Sequence, residues 1–388
     1  MRYLFLLLFV YPLNLAAQTT MSGKVLSLVN QKPVADASVF LNNTSIGTKT
    51  DAAGTFTLSN VKNGKYDLIV SCVGFEAVSQ GVVVQDNKVQ VPDIQLMPKV
   101  TELREVKIGK KNTRVDSRRA RLLRMFMQEF LGNTANASQT KILNPEILYL
   151  DYDEEQQKLT ASTQDFLIIE NKALGYRTKY LLTSFVKDPL NNILQYTGAS
   201  AFEQIKGTPE QQTEWQNKRV KTYLGSAMHF LRACTENAVG QNDFTVFKLQ
   251  RTPNPDRAPD SVILRKIRYF TDVKERDSAI YWSTMFQEPR FAYSVPKVKL
   301  DAKEYIKATD QKSFFALYHP NILMVNYKNN NANANANSTL IIFGDQETYF
   351  DSNGIILSMR DNKFERYWSE LRFADQLPAD YELPRSLK

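Results

Sequence analysis

Four side chains in the middle of the chain have the types and the spacing of a ligand-binding groove. Trp215, Arg219, Tyr223 and His229 fall within roughly a third of the circumference of a helix that turns by about 100° per residue. An arginine and a histidine on an aromatic stripe predict a groove for an anionic or sugar-like ligand. The same spacing fits an amphipathic helix docked on a sheet, with Arg219 paired and His229 hydrogen-bonded in the core. A helix break at Gly225 would separate these side chains.

The two histidines of the chain do not belong to a recognisable catalytic motif. A zinc peptidase needs two histidines and a carboxylate at short, defined spacing, whereas Phe-Leu-Arg follows His229 and Pro-Asn-Ile follows His319. The sequence contains no G-x-S-x-G, P-loop or G-x-G-x-x-G motif. We therefore predict a non-enzymatic protein with no catalytic residue, metal or cofactor. The alternative is a hydrolase with an unfamiliar site around Trp215, Arg219, His229 and the acidic residues that follow residue 150.

Two clusters of charge bear on binding. The acidic cluster Asp151, Asp153, Glu154 and Glu155 can supply ligands for Ca²⁺, but it lacks the Asp-x-Asp-x-Asp-Gly pattern and predicts a solvated turn. The basic segment from Arg104 to Arg124 holds nine basic residues against two acidic ones, nearly the whole net charge of +8. It can contact anionic lipid headgroups or polyanions, or it can be a solvated linker and helix face.

The first residues predict export. A positive start at Met1-Arg2 precedes about a dozen apolar residues and a small-residue cleavage site, so residues 1–17 read as a signal peptide and Gln18 as the mature start. We expect a periplasmic protein or one peripherally associated with the outer membrane, which disfavours a nucleic-acid partner. The only cysteines, Cys72 and Cys234, are expected to be buried free thiols.

Short alternating strands and turn residues fill residues 21–98. Asp51 and Gly54 suit a turn, and Asn63-Gly64 predicts a hairpin. Strands this short at this spacing predict an all-β, immunoglobulin-like sandwich of about seven strands.

This region resembles the carboxypeptidase-regulatory-like domain, a prealbumin-type sandwich common in exported proteins of the Bacteroidetes. The family often has Gly where this chain has Asp36, a tolerable change at a turn. The resemblance implies a fold and a binding or spacing role, because the domain accompanies peptidases and is not itself one. The matching pieces are Gly-Lys-Val at 23–25, Lys-Pro-Val-Ala-Asp-Ala-Ser-Val at 32–39, Gly47, Thr-Asp-Ala-Ala-Gly-Thr-Phe at 50–56, Asn-Gly-Lys-Tyr at 63–66 and Val-Gly-Phe at 73–75.

A basic linker at 99–115 is expected to lead into an α+β domain of unknown function at 116–388. Residues 116–131 have helical spacing, with Leu122, Phe126 and Phe130 on one face. Residues 210–237 predict one long helix, or two broken at Gly225, and 351–354 a hairpin turn. The predicted strands are 146–152, 158–163, 166–170, 176–186, 193–202, 281–286, 297–300, 314–318, 322–327, 339–343, 348–350 and 355–359.

The C-terminal region resembles a group of uncharacterised Bacteroidetes envelope proteins in which the same sandwich precedes a domain of unknown function. This resemblance implies an outer-membrane or envelope protein as the partner. We therefore expect an exported binding or assembly module that acts through protein or glycan contacts. The alternatives are the hydrolase and a purely structural spacer. The matching pieces are Lys-Ile-Leu-Asn-Pro at 141–145, Ile-Ile-Glu-Asn at 168–171, Leu-Gly-Tyr at 174–176, Tyr-Thr-Gly at 196–198, Tyr-Leu-Gly-Ser at 223–226, His-Phe-Leu-Arg at 229–232, Tyr-Trp at 367–368 and Leu-Pro at 377–378.

Overall fold

The computed structural model describes residues 19–85, 88–99, 113–191, 193–294, 298–311, 313–328, 337–358 and 362–384. The predicted signal peptide at 1–17 and most of the predicted linker at 99–115 lie outside the described residues. Among the described helices, none has the length and apolar character needed to cross a membrane.

Two β-sheets form the N-terminal sandwich. Its strands are β1 Thr20–Ser27, β2 Ser38–Leu41, β3 Gly47–Lys49, β4 Thr55–Leu58, β5 Gly64–Ser71, β6 Val78–Val84, β7 Lys88–Gln90 and β8 Ile94–Leu96. One sheet has the order β4-β1-β7, with β8 also paired to β1, and the other has the order β3-β2-β5-β6. Alternate residues such as Val25, Leu41 and Leu68 point between the sheets and are fully buried. The eight strands in the described residues confirm the sandwich.

One predicted turn of the sandwich is confirmed, and the predicted hairpin at Asn63-Gly64 is wrong. The carboxylate of Asp51 accepts the backbone N–H groups of Ala53 and Thr55, each at 2.9 Å, and Gly54 has φ +72°, as expected for this turn. Asp36 has φ 56°, the left-handed region that suits Gly or Asp. Asn63-Gly64 is not a hairpin, because β4 pairs with β1 and β5 pairs with β2. It connects the two sheets instead.

A six-stranded antiparallel sheet opens the C-terminal region. The helix α1 (Thr113–Leu131) packs on one face of it through Leu122, Phe126 and Phe130, which confirms the predicted apolar stripe. The rings of Phe126 and Phe185 lie 4.9 Å apart between centroids. The sheet order is β10-β11-β13-β12-β9, and β14 follows the other edge of β13. The strands are β9 Thr140–Ile142, β10 Tyr149–Asp153, β11 Lys158–Ser162, β12 Leu167–Asn171, β13 Tyr176–Asp188 and β14 Ile193–Gln204.

Two further sheets surround the short helix α3. Their orders are β16-β15-β19-β20-β23 and β17-β18-β21-β22. Phe230 of α3 is fully buried among Phe244, Tyr305 and Trp368, so the helix is the centre of this second core. The elements are α2 Pro209–Tyr223, α3 Ala227–Thr235, β15 Phe244–Pro253, α4 Asp260–Asp272, α5 Arg276–Gln287, β16 Phe291–Ser294, β17 Ile306–Ala308, β18 Phe314–Leu317, β19 Ile322–Tyr327, β20 Ser338–Ile342, β21 Thr348–Asp351, β22 Ile356–Ser358, β23 Lys363–Arg366 and α6 Tyr367–Glu370.

The α+β prediction for this region is confirmed, with two corrections. Residues 281–286 were expected to form a strand but lie in α5, because Ala279, Trp282 and Met285 are half-buried at helical spacing. Residues 298–300 form no strand either, and Lys299 makes only an isolated bridge to Phe247. The turn at 351–354 connects β21 and β22 as predicted, with Gly354 at φ +74°.

The sandwich packs directly on the six-stranded sheet. Phe40 and Ile69 point away from the sandwich core and pack on Ala199 and Ala201 of β14. The loop after β2 extends that sheet locally, because the N–H of Phe202 donates to the carbonyl of Thr44 at 2.9 Å. We call this contact, together with the hydrogen bonds around it, the junction.

A second part of the junction involves the turn between β21 and β22. The side-chain amide of Asn353 donates to the carbonyl of Asn63 at 3.2 Å. A Cβ on Gly64 would lie 2.8 Å from that amide nitrogen and 3.1 Å from the carboxylate of Asp351. A glycine is therefore required for this close approach, which explains the Asn-Gly pair that does not form a hairpin.

Candidate functional site

The helix break at Gly225 divides the four residues of the predicted groove into two pairs. Gly225 has φ +81° and ends α2, and Ser226 caps α3 by accepting the N–H of His229 at 3.2 Å. Trp215 and Arg219 line a cleft, whereas Tyr223 and His229 lie in the core. The four residues therefore do not form a continuous stripe.

Trp215 serves mainly to position α2. Its indole N–H donates to the carbonyl of Lys172 at 2.9 Å, and only 8% of the residue is exposed. Gly175 and Gly207 lie against the ring, where an added Cβ would come within 2.3 Å and 2.5 Å of its carbons. The backbone of both glycines thus packs against the ring, and little of the ring is left exposed.

Arg219 forms the floor of the cleft. Its Nε–H donates to the carbonyl of Leu174 at 2.7 Å, its Nη2 donates to that of Gly175 at 3.2 Å, and its guanidinium lies 4.0 Å from the centroid of the Tyr176 ring. Burial lowers the pKa of Arg219, and no carboxylate in the described residues pairs with it. The Nη1 group has no hydrogen-bond partner in that part of the chain.

His229 has a structural role. It is 4% exposed, its Nδ1 accepts the backbone N–H of Gly225 at 3.1 Å, and its Nε2–H donates to the side-chain oxygen of Asn242 at 3.1 Å. These partners require the neutral ring, and burial lowers the pKa of His229. Its ring contacts Tyr223 with centroids 4.9 Å apart. Both ring nitrogens are occupied, which agrees with the core alternative.

The cleft lies where α2, the ends of β13 and β14, the loop after β2 and the C-terminal tail meet. It has a volume of about 440 Å³. Most of its lining is polar, with three glutamines and three aromatic residues. The lining residues are Ser45, Tyr176, Gln204, Ile205, Gln212, Trp215, Gln216, Arg219, Pro378, Asp380, Tyr381, Glu382 and Pro384.

The tail brings two residues that the sequence did not point to. The hydroxyl oxygen of Tyr381 is buried and has no hydrogen-bond partner in the described residues, and burial raises the pKa of Tyr381 to about 12. The carboxylate of Asp380 accepts the backbone N–H of Ser45 at 2.7 Å and also its hydroxyl. Tyr176 belongs to the Leu-Gly-Tyr piece of the second resemblance and the Leu-Pro piece at 377–378 begins the tail, but no sequence pattern marked Asp380 or Tyr381.

Arg232 holds the tail in place. Its three nitrogen groups donate to the carbonyls of Asn353, Tyr381 and Ala379, each at 2.8 Å. The N–H of Ala379 donates in turn to the carbonyl of Asn43, so the tail connects α3 to the sandwich. One guanidinium therefore sets the position of one wall of the cleft.

Half of the acidic cluster forms the predicted turn, because Asp151 and Asp153 lie in β10 and Glu154 and Glu155 follow in the turn. The carboxylate of Asp153 accepts the backbone N–H groups of Glu155 and Gln156, each at 2.9 Å, and Glu154 pairs with Arg121 at 3.0 Å. The described residues contain no group of three or more side chains suited to hold a metal ion.

Both cysteines are free, but only Cys234 is buried, because Cys72 lies at the rim of the sandwich core and is partly exposed. Burial raises the pKa of the Cys234 thiol, so the thiol form persists.

The described part of the basic segment is used in part for packing. Arg119 donates to the carbonyls of Pro145, Glu146 and Leu148 at 3.1–3.2 Å, which fixes α1 next to β10. Arg118 and Arg121 also contact this region. Its residues 104–112 lie outside the described part of the chain.

Comparison with protein families matches residues 21–108 to the CarboxypepD_reg-like domain. The N-terminal sandwich is therefore similar to the carboxypeptidase-regulatory-like domain, which supports the first resemblance. No curated protein matches the chain.

Three solved structures have similar parts. A cohesin–X-dockerin complex of Acetivibrio cellulolyticus is 19% identical and matches 20% of this chain and 56% of its own, with a TM-score of 0.18. The minor pilin GBS52 of Streptococcus agalactiae is 16% identical over 24% of this chain and 48% of its own, with a TM-score of 0.19. A DUF3823 family protein of Bacteroides uniformis is 8% identical over 61% and 67%, with a TM-score of 0.17. The match thus spans about half of the first two chains, and scores this low carry no inference about function.

Proposed function

We propose that this protein is a non-enzymatic, exported cell-envelope protein that acts as a binding or assembly module, with the cleft beside the junction as its binding site. One observation carries the proposal. The cleft is lined by Arg219, whose Nη1 donates no hydrogen bond within the described residues, and by Tyr381, whose buried hydroxyl has no partner there. A buried polar group such as the Tyr381 hydroxyl costs about 1–3 kcal/mol when it has no partner, and a ligand that supplies the missing partner recovers this energy.

The lining indicates how a ligand would be held. Tyr176 is covered by Arg219 and the Trp215 ring by two glycines, so ring stacking contributes little. Gln204, Gln212 and Gln216 each offer an amide donor and acceptor. A polar segment of a glycan or of a protein partner suits such a surface.

The location and the partner are part of the same proposal. The apolar N-terminus supports export, and the second resemblance supports an outer-membrane or envelope protein as the partner. A periplasmic protein, or one associated peripherally with the outer membrane, can also use the basic segment between Arg104 and Arg124 to contact an anionic surface.

A structural spacer is the second candidate, because the junction favours it. Asn353, Gly64 and Thr44 hold the two regions through direct hydrogen bonds and close contact, as a spacer requires. The hydrolase alternative has no such support, since His229 is occupied by Gly225 and Asn242.

The decisive experiment removes one hydroxyl from the cleft. The mature protein and the variant Tyr381→Phe would be tested on an array of neutral and acidic oligosaccharides and against detergent-solubilised envelope proteins. We expect at least about tenfold weaker binding for the variant, and no loss of unfolding free energy, because the removed hydroxyl has no internal partner.

Tyr305→Phe is the matched control. The Tyr305 hydroxyl is also buried without a partner in the described residues, but it contacts the core around Cys234 instead of the cleft. It should leave binding unchanged. Equal binding by Tyr381→Phe and the natural protein would contradict the cleft as the site, and no ligand in either assay would leave the spacer as the better account.

A further inference from the structure

A two-helix arm extends from the second core. Its helices, α4 and α5, occupy residues 260–287 between β15 and β16, and the last four residues of β15, 250–253, pair with the whole of β16. Among the described side chains of the arm, α5 buries none and α4 buries only Asp260 and Ile263. The arm is therefore a surface element and contributes little to the core.

Hydrogen bonds and ion pairs at the base of the arm join its two helices to each other. Arg257 donates to the carboxylate of Asp260 at 2.6 Å and to the carbonyl of Phe286 at 3.1 Å, and Arg290 pairs with the same carboxylate. These contacts join the start of α4 to the end of α5. The helices are thus held side by side and keep a fixed outer surface.

The arm exposes an unusual share of the large apolar side chains. Five of the fourteen large hydrophobic side chains exposed in the described residues belong to the arm. Exposure is 58% for Tyr269, 53% for Ile280 and 57% for Tyr281, and Val273 and Phe286 complete the set. Exposed apolar groups concentrated on one element mark a contact with a partner or a membrane.

The charges around this surface are mostly positive. Arg265, Lys266 and Arg268 are exposed on α4, and Lys274 and Arg276 lie at the tip, against the exposed acids Asp272, Glu275 and Asp277.

The basic face of α1 lies next to the arm. Arg268 donates to the carbonyl of Glu154 at 2.8 Å, and the side chain of Glu154 pairs with Arg121 of α1. Arg118 and Arg124 are exposed on the same helix. The apolar side chains of the arm are thus bordered by basic residues of α4 and α1, with Glu154 between the two helices.

We propose that the arm docks on an anionic lipid surface, with Tyr269, Ile280 and Tyr281 entering the headgroup region and the basic residues contacting lipid phosphates. Tyrosines and basic residues around an apolar helix face are typical of helices that lie at a membrane interface. This docking is independent of the cleft.

The test is vesicle flotation with the whole mature protein. The vesicles contain phosphatidylcholine alone or phosphatidylcholine with phosphatidylglycerol, in low and high salt. We expect binding to the phosphatidylglycerol vesicles only, weakened by salt. The triple variant Tyr269→Ser, Ile280→Ser, Tyr281→Ser should bind at least about tenfold more weakly.

A matched triple variant tests whether removing exposed apolar residues outside the arm also weakens vesicle binding. Val29, Tyr149 and Val298 are 75%, 50% and 67% exposed outside the arm, and changing them to Ser should leave flotation unchanged. Circular dichroism of both triple variants verifies folding.

Several results would overturn the proposal. The first is no flotation of the natural protein, or an equal loss of flotation in the two triple variants. The second is a concentration-dependent dimer, or capture of an acidic protein, that depends on the arm while vesicles do not bind. The third is salt-insensitive binding to pure phosphatidylcholine, since the basic residues would then contribute nothing.

Discussion

The junction and the arm differ in whether their side chains and backbone groups find partners within the chain. At the junction, Gly64 admits Asn353 at van der Waals contact, and Arg232 satisfies three carbonyls. In the arm, Tyr269 and Ile280 are more than half exposed. The groups of the junction are paired within the chain, whereas the exposed side chains of the arm are available to a partner.

The cleft lies between these extremes. It is built from junction elements, yet the Tyr381 hydroxyl there lacks a partner in the described residues. We infer that internal contacts set the position of the cleft walls, whereas unused groups in those walls carry recognition. Changes at the junction should therefore cost stability, and changes in the cleft or the arm should cost binding.

The largest expected effect is at Arg232. Arg232→Ala removes three hydrogen bonds from a charged donor and leaves the carbonyls of Asn353, Ala379 and Tyr381 without it, which should lower the unfolding free energy by about 3–5 kcal/mol. Arg265→Ala in the arm is the control, with a change within about 0.5 kcal/mol. Urea denaturation measures both, and equal losses would break the comparison.

A smaller loss is expected at Gly64. In Gly64→Ala the new Cβ would lie 2.8 Å from the amide of Asn353 and 3.1 Å from Asp351, which should destabilise the fold by about 1–3 kcal/mol. Gly81→Ala is the control, because an added Cβ meets nothing within 4 Å in the same sandwich. If both variants unfold at the same urea concentration, the contact between Gly64 and Asn353 does not hold the regions together.

The smallest expected effect is a pH dependence of the unfolding free energy that arises from the buried His229. Because the pKa of His229 is lowered from 6.5 in the folded protein, the unfolded chain binds more protons near and below that pH. Stability should therefore fall as the pH decreases from 7 through about 6.5, by at most about 1.4 kcal/mol per pH unit. His229→Gln should flatten this slope, whatever its effect at pH 7. An unchanged slope would mean that the imidazole is not held neutral.

Local features were predictable where one physical cause dominates. The turn at Asp51 and Gly54 follows from side-chain hydrogen bonding and positive φ, and the apolar face of α1 follows from its period. Asn63-Gly64 misled because the same two residues suit a close contact with a segment 290 residues further along the chain. The strand expected at 281–286 failed because aromatic residues favour strands while their spacing also fits a helix.

The candidate site was only half predictable. Arg219 was identified from its spacing, but its partners Leu174 and Tyr176 come from a strand and the turn before it. Tyr381 and Asp380 enter the cleft from an irregular tail that Arg232 positions. Long-range contacts of this kind leave no periodic pattern in the sequence, so no reading of periods or motifs can place them.

Hydrogen exchange with and without phosphatidylglycerol vesicles tests the contrast most directly. The account predicts that amides of residues 260–287 gain protection on the vesicles. Amides of the junction, in the loop after β2 and in the tail at 377–382, should be protected equally in both conditions. Unchanged exchange in the arm, or new protection confined to the junction, would contradict the account. The arm would then not be the surface that binds the vesicles, and the junction would not be a purely internal contact.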